Sequence, residues 1–181
     1  RNTDQRSHDY SQIASCYRPG HADYTFDRKY GFRDYRGGGR SSARETIGRV
    51  CAGAVAQKFL AQVAGTEFLA WVDSVGTIEC GKFDTGTLTR EKIEASPVRC
   101  PVETFSEKME QEILAAKKDG DSVGGTVKLL VRNVPATLGE PVFDRLDALL
   151  AQAMLSIPAC KGFEIGSGFA GTRMRGSEHN D

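Results

Sequence analysis

The residues best suited to chemistry are Arg36-Gly37-Gly38-Gly39-Arg40-Ser41-Ser42-Ala43-Arg44. Three glycines in a row let the backbone fold tightly and turn its N–H groups into one concavity. Ser42-Ala43-Arg44-Glu45 reads as a capping box, so the loop feeds straight into a helix N-terminus. Free N–H groups and the helix dipole favour an anion there. Arg36, Arg40 and Arg44, with Ser41 and Ser42, surround that spot, and together they describe a phosphate site. No Gly-Lys-Ser/Thr follows, so this is not a Walker-type loop. The competing reading is a flexible arginine-rich loop whose charges stay in water.

A second cluster is Arg18-Pro19-Gly20-His21-Ala22-Asp23. Pro19 and Gly20 make a turn, which keeps Arg18, His21 and Asp23 close. His21 could serve as a general acid near neutral pH, with Asp23 fixing its tautomer. Taken alone, the stretch reads more simply as a turn with a surface histidine. The same holds for His8 and His179, each a lone histidine in a polar stretch. Three histidines without carboxylates at i, i+4 spacing do not make a metal site, so no metal is expected.

These residues need elements to hold them. Residues 1–40 show little apolar periodicity and read as loop, yet Tyr10, Tyr17, Tyr24, Phe26, Tyr30, Phe32 and Tyr35 argue for order. From Ser42 a helix is predicted to about Ala64, stopping at Gly65. Its centre, Cys51-Ala52-Gly53-Ala54-Val55-Ala56, is almost all small, which predicts close packing and burial. Gly53 costs roughly 1 kcal/mol of helix propensity, so packing is expected to require it. Phe68 to Val72 and Thr77 to Cys80 read as strands. Thr104-Phe105-Ser106-Glu107 reads as a capping box for a helix to about Lys118, where Lys117 and Lys118 suit the negative pole.

Gly125 to Val134 is a predicted strand. Pro141-Val142-Phe143 is expected to start a third helix with Phe143, Leu146, Leu149, Leu150, Ala153 and Met154 in one stripe, ended by Pro158. Gly162 to Ile165 is a strand candidate. Helices and strands do not alternate regularly, so an α+β arrangement is expected rather than a doubly wound sheet.

Composition narrows the function. The chain has 181 residues, 39% hydrophobic and 27% charged, as in soluble globular proteins, and is expected to form a single domain. No apolar run approaches the ~20 residues of a membrane span. Cys16, Cys51, Cys80, Cys100 and Cys160 are odd in number and widely spaced, which argues for reduced thiols in a cytosolic protein. Net charge is zero, against a nucleic-acid partner. Residues 1–50, however, carry ten Arg and Lys against six Asp and Glu, a local positive field suited to a small anion.

The two clusters, in this order and this close, resemble chorismate synthase. The matching stretches are Arg18 to Thr25, Lys29 to Thr46, Arg49-Val50 and Gly53. Further matches are Gly120 to Gly124, Gly139 to Asp147, Ser156 to Ala159, Lys161 to Gly166 and Gly176 to Asp181. Only about Gly65 to Val102 is loosely patterned.

The resemblance implies a β-α-β sandwich, with helices packed between antiparallel sheets, and a cytoplasmic homotetramer. It implies a lyase of aromatic amino-acid biosynthesis that converts 5-enolpyruvylshikimate 3-phosphate to chorismate by 1,4-elimination with reduced FMN. By position it implies that Arg40, Ser41, Ser42, Pro158 and Ala159 contact FMN. Arg18, Ser42 and Arg44 would hold the substrate's anionic groups, and His21 would be the acid that protonates the reduced flavin. NADP also belongs to the family's setting, and whether such an enzyme reduces its own flavin stays open. The family's Gly-Glu-Ser-His-Gly motif and its C-terminal third are not in these residues, which are expected to be the central portion of such an enzyme. A folded, anion- or flavin-binding segment that does not react alone is the alternative.

Overall fold

The computed structural model describes residues 7–179. The side chain of His8, and Asn180 and Asp181 of the last matching stretch, lie outside the described parts. The sequence predicts a single domain. The backbone divides into two compact units, residues 55–135 and residues 1–54 with 136–181.

The first of these units is built on a three-stranded antiparallel sheet. Its strands are β1 (Glu67–Val75), β2 (Ile78–Glu79) and β3 (Gly125–Arg132), in the order β2-β1-β3. Glu67 pairs with Arg132 at one end and Val75 with Gly125 at the other, and the register shifts between Val72 and Ser74. The sheet buries Leu69 and Trp71 against Leu88 and Ile93, and Val75 against Cys100 and Met109. Ile93 lies on a short helix, Arg90–Glu94, and Met109 on a longer one, Glu103–Lys118.

The other unit carries helix α1 (Asp23–Tyr30), which is short and polar. Asp23 at its positive pole and Arg28 and Lys29 at its negative pole suit the dipole. Gly31 closes it in the left-handed conformation at φ 77, its N–H donating to the Asp27 carbonyl. The glycine loop follows, then two 3-10 turns, Gly39–Ser41 and Ala43–Glu45, which lead into helix α2 (Thr46–Ala64). A two-stranded hairpin, β4 (Gly139–Glu140) with β5 (Asp144–Arg145), precedes the last helix, Leu146–Leu155, here called α5 after α3 (Arg90–Glu94) and α4 (Glu103–Lys118).

The α+β class and the antiparallel sheets are as the sequence predicts, and Gly65 ends α2 at φ 65. Several expectations need correction. Segment 1–40 holds α1, whose lack of apolar periodicity hid it; it is anchored by one buried carboxylate instead. Ser42 accepts the Arg44 N–H within a 3-10 turn, while Glu45 reaches forward to Arg49 rather than back, so the predicted box is only half formed. At the second box the helix starts two residues early, at Glu103, with Val102 rather than Thr104 as its N-cap.

Helix α2 buries none of its residues, and a Cβ on Gly53 would meet nothing within 4 Å. Small residues permit close packing, but among the described residues none covers this helix. The third predicted helix begins at Leu146, because Gly139, at φ 81, pairs with Arg145 and folds residues 139–145 into the hairpin. Phe143 is accordingly exposed rather than part of a helical stripe. Residues 162–165 are not a strand, having no described strand to pair with.

Candidate functional site

Asp23 is the fixed point. It is fully buried at the N-terminus of α1, and its carboxylate is gripped from several sides. Arg18 donates through Nε to Oδ2 at 2.8 Å and through Nη2 to Oδ1 at 3.1 Å, and its backbone N–H reaches Oδ2 at 3.3 Å. These bonds to Arg18 hold the Asp23 carboxyl far below the usual carboxylate range, against the opposing effect of burial. The same pairing pushes Arg18 up.

An ionised carboxylate only accepts hydrogen bonds. His21 Nδ1 lies 2.9 Å from Asp23 Oδ1 and 3.2 Å from Arg18 Nη2, so it donates to the carboxylate when protonated and accepts from the guanidinium when not. The second ring nitrogen, Nε2, is then the atom free to exchange protons.

The Cε1–Nε2 edge of His21 faces the glycine loop. Gly38 is buried at φ 87, and a Cβ there would lie 3.4 Å from Cε1 and 3.5 Å from Nε2. The same Cβ would stand 3.2 Å from Ser41 Oγ, which donates to the Gly38 carbonyl at 2.6 Å. Asp34 shapes the loop's entry: its carbonyl accepts the Gly38 N–H and its carboxylate the Arg36 N–H, each at 2.9 Å. Arg44 folds back over the loop, because a Cβ on Gly37 would come within 2.7 Å of its Nη2. Only glycine leaves space for that guanidinium, and the cradle so formed fits a phosphate-bearing group.

The two predicted clusters therefore meet: His21, Ser41 and Arg44 gather around Gly37 and Gly38, while Ser42 donates its N–H to the Gly39 carbonyl and accepts the Arg44 N–H. Arg40 lies in the first 3-10 turn and is exposed. Among the described residues, neither the Arg40 nor the Arg44 side chain makes a hydrogen bond or ion pair, so both are available to an anion. Arg18 is half-buried and committed to Asp23 through two of its nitrogens, leaving Nη1 for a ligand. Pro158 and Ala159 follow α5, with Ala159 left-handed at φ 67. Among the described residues no hydrogen bond joins them to the glycine loop. Their link is Arg49, on the first turn of α2, which donates to the Ser156 carbonyl at 2.9 Å and to Glu45 Oε1 at 3.2 Å. His179 stands apart, its Nε2 2.6 Å from Ser167 Oγ.

Two contributors escaped the sequence reading. Arg33, whose side chain is only 8% exposed, places Nη1 3.3 Å from Asp23 Oδ2. Arg49 ties two segments 107 residues apart. The one available signal was the density of arginines between Arg18 and Arg49, which does not say which of them turn inward.

Comparison with known proteins agrees with this geometry. The chorismate synthase family model matches residues 1–181. The chorismate synthase of Opitutus terrae is 58% identical over 181 residues, covering 100% of this chain and 50% of that protein. The chorismate synthase of Synechococcus elongatus is 57% identical with the same coverage. A chloroplastic chorismate synthase of Capnoides sempervirens is 58% identical, covering 99% of this chain and 41% of that protein. A crystal structure of chorismate synthase superposes with a TM-score of 0.75 at 37% identity, over 88% of this chain and 51% of that one. The chain spans about half the length of the curated relatives it matches. With the family model matching from the first residue to the last and the fold shared, the chain belongs to the chorismate synthase family.

Proposed function

We propose that this protein, at the full length of its relatives, converts 5-enolpyruvylshikimate 3-phosphate to chorismate and phosphate. In that 1,4-elimination the C–O bond to phosphate breaks, a ring hydrogen leaves, and a new C=C bond forms. The observation that carries the proposal is the His21 imidazole, held at Nδ1 between Asp23 and Arg18 and set edge-on against Gly38. An acid beside a cationic glycine cradle suits a substrate that loses phosphate.

Within this reading His21 holds the transferable proton at Nε2. Asp23 fixes the tautomer and stabilises the ring when it is charged. Arg18, Ser42 and Arg44 bind the substrate's anionic groups and orient the ring. Arg40, Ser41, Ser42, Pro158 and Ala159 would hold reduced FMN, which when bound supplies electron density to a reaction without net redox change. A cytoplasmic homotetramer is the expected setting. Among the described residues no helix is long and apolar enough to cross a membrane.

The test is steady-state turnover of the phosphorylated substrate with reduced FMN, for wild type and His21→Ala. A positioned acid contributes about 10²–10⁴-fold, so turnover should fall by that order. The melting temperature should hardly move, since Asp23 keeps its arginine partners. A loss of less than about fivefold would refute the acid role.

A further inference from the structure

Asp23 faces two guanidinium groups, and one of them has no evident task at the site. Arg33 is nearly buried, and its Nη2 donates to the carbonyls of Ile13, Ala14 and Cys16 at 3.1, 2.8 and 2.7 Å. Its guanidinium carbon lies 5.2 Å from the Tyr17 ring centroid. Its Nη1 has no hydrogen-bond partner among the described residues, only the ion pair with Asp23 Oδ2 at 3.3 Å. Asp27 is the other charge in reach, 3.9 Å from Arg33 Nε, but it is 31% exposed and engaged by the Tyr17 hydroxyl at 2.9 Å. Water screens it more than Asp23. Around the buried carboxylate, two cations therefore share one anion.

We infer that Arg33 is a positioning residue that keeps the Arg18–His21 face of the glycine loop positively charged. Arg18 is already bonded to Asp23, and Arg33, sharing the same carboxylate, leaves the group with one positive charge in surplus. The surplus charge is then available to a phosphate or carboxylate group. The inference rests on the reading that this face receives a phosphorylated substrate. It goes further by naming the residue that makes the face attractive without touching the ligand. Desolvating a guanidinium is costly, and an arginine that only capped three carbonyls would not need a second guanidinium's carboxylate.

The experiment uses the enzyme at its relatives' full length and titrates inorganic phosphate calorimetrically. Three variants are compared, with thermal melts to confirm folding. Arg33→Met keeps the apolar stem and removes the charge. Arg33→Met combined with Asp23→Asn removes one cation and the shared anion, which restores the wild-type surplus of one positive charge, now on Arg18. Arg33→Lys keeps the charge and loses the carbonyl fork. Arg33→Met should weaken phosphate binding about tenfold and raise KM for the substrate similarly, with kcat within about threefold. The double variant and Arg33→Lys should bind phosphate within about threefold of wild type.

A folded Arg33→Met with unchanged phosphate affinity would overturn the inference. So would a double variant as weak as the single one, since both point to a structural role alone. If Arg33→Met does not fold, Arg33→Lys decides: a tenfold loss there counts against the charge argument. A wild type that binds phosphate yet makes no chorismate would defeat the proposed function and leave this inference standing. A wild type that does not bind phosphate would defeat the inference itself.

Discussion

Replacing Gly38 by alanine separates backbone strain from damage to the imidazole. At φ 87 an alanine costs about 1–2 kcal/mol, because Cβ crowds the following carbonyl. The methyl also arrives 3.2 Å from Ser41 Oγ, closer than ordinary contact. Ser41 cannot swing aside without giving up its 2.6 Å bond to the Gly38 carbonyl, worth about 1 kcal/mol. The His21 edge lies 3.4 to 3.5 Å away and is held from behind by Asp23 at 2.9 Å. The loop and the ring must therefore part by a few tenths of an ångström. Gly31→Ala is the control, since Gly31 has φ 77 and a Cβ there would meet nothing within 4 Å. Both variants should lose about 1–2 kcal/mol in denaturant melts. Only Gly38→Ala should also lose turnover, on the order of 10- to 100-fold at saturating substrate and reduced FMN, because misplacement by ~1 Å costs about 10²-fold. Turnover of Gly38→Ala within about twofold of Gly31→Ala would refute the argument that the loop and the histidine are seated on one another.

Asp23→Asn should destabilise the protein by about 3 kcal/mol at neutral pH, since it leaves buried guanidinium groups unpaired. The pH dependence follows from the lowered Asp23 carboxyl: its contribution is full above an unfolded value near ~4 and is lost as pH falls toward the folded one. Urea melts from neutral pH to below 4 should therefore show a steeper acid loss in wild type than in Asp23→Asn, and parallel curves would contradict the assignment. Burial pushes the Cys80 thiol up to about 12, so a thiol reagent at mildly alkaline pH should label exposed Cys16 and Cys51 well before Cys80. Arg49→Ala should change the melting temperature little, because the pair with Glu45 is surface-exposed, yet it should weaken FMN binding several-fold by releasing Ser156 ahead of Pro158 and Ala159. Flavin fluorescence titration measures this, and unchanged affinity would detach Arg49 from the site.

Much of the site was legible because its residues are unusual in type and order. Three adjacent glycines have few uses, and all three take positive φ here. The joint between the two clusters was not legible. That Nε2 of His21 faces Gly38 depends on the turn at Gly20 and on Asp23, which no local pattern encodes. Arg33 was missed because charge alone does not distinguish an inward arginine from a surface one. The sheet was readable from the apolar runs at 68–72 and 125–134, but the 139–145 hairpin was not, because Phe143 fits the helical stripe of the segment that follows it. The small residues of α2 implied burial, and among the described residues none of the helix is buried.

That bare helix bears on how the 181 residues behave in solution. Ile47, Val50, Val55, Phe59 and Val63 are each 60 to 70% exposed. Most helices in proteins are held by an apolar face packed against something, and a segment of this length on its own is marginal in water. With only Thr46, Gln57, Leu60 and Ala64 partly buried, α2 relies largely on alanine-rich propensity and on the turns at its two ends. Its amides should exchange with solvent deuterium far faster than those of β1, at rates close to those of a free peptide. The exposed row also invites association, so light scattering should rise with concentration and with temperature, as apolar burial strengthens on warming. Handling the chain dilute and cold, or changing Val55 and Phe59 to polar residues, should suppress that association while leaving Asp23, His21 and the glycine loop as they are.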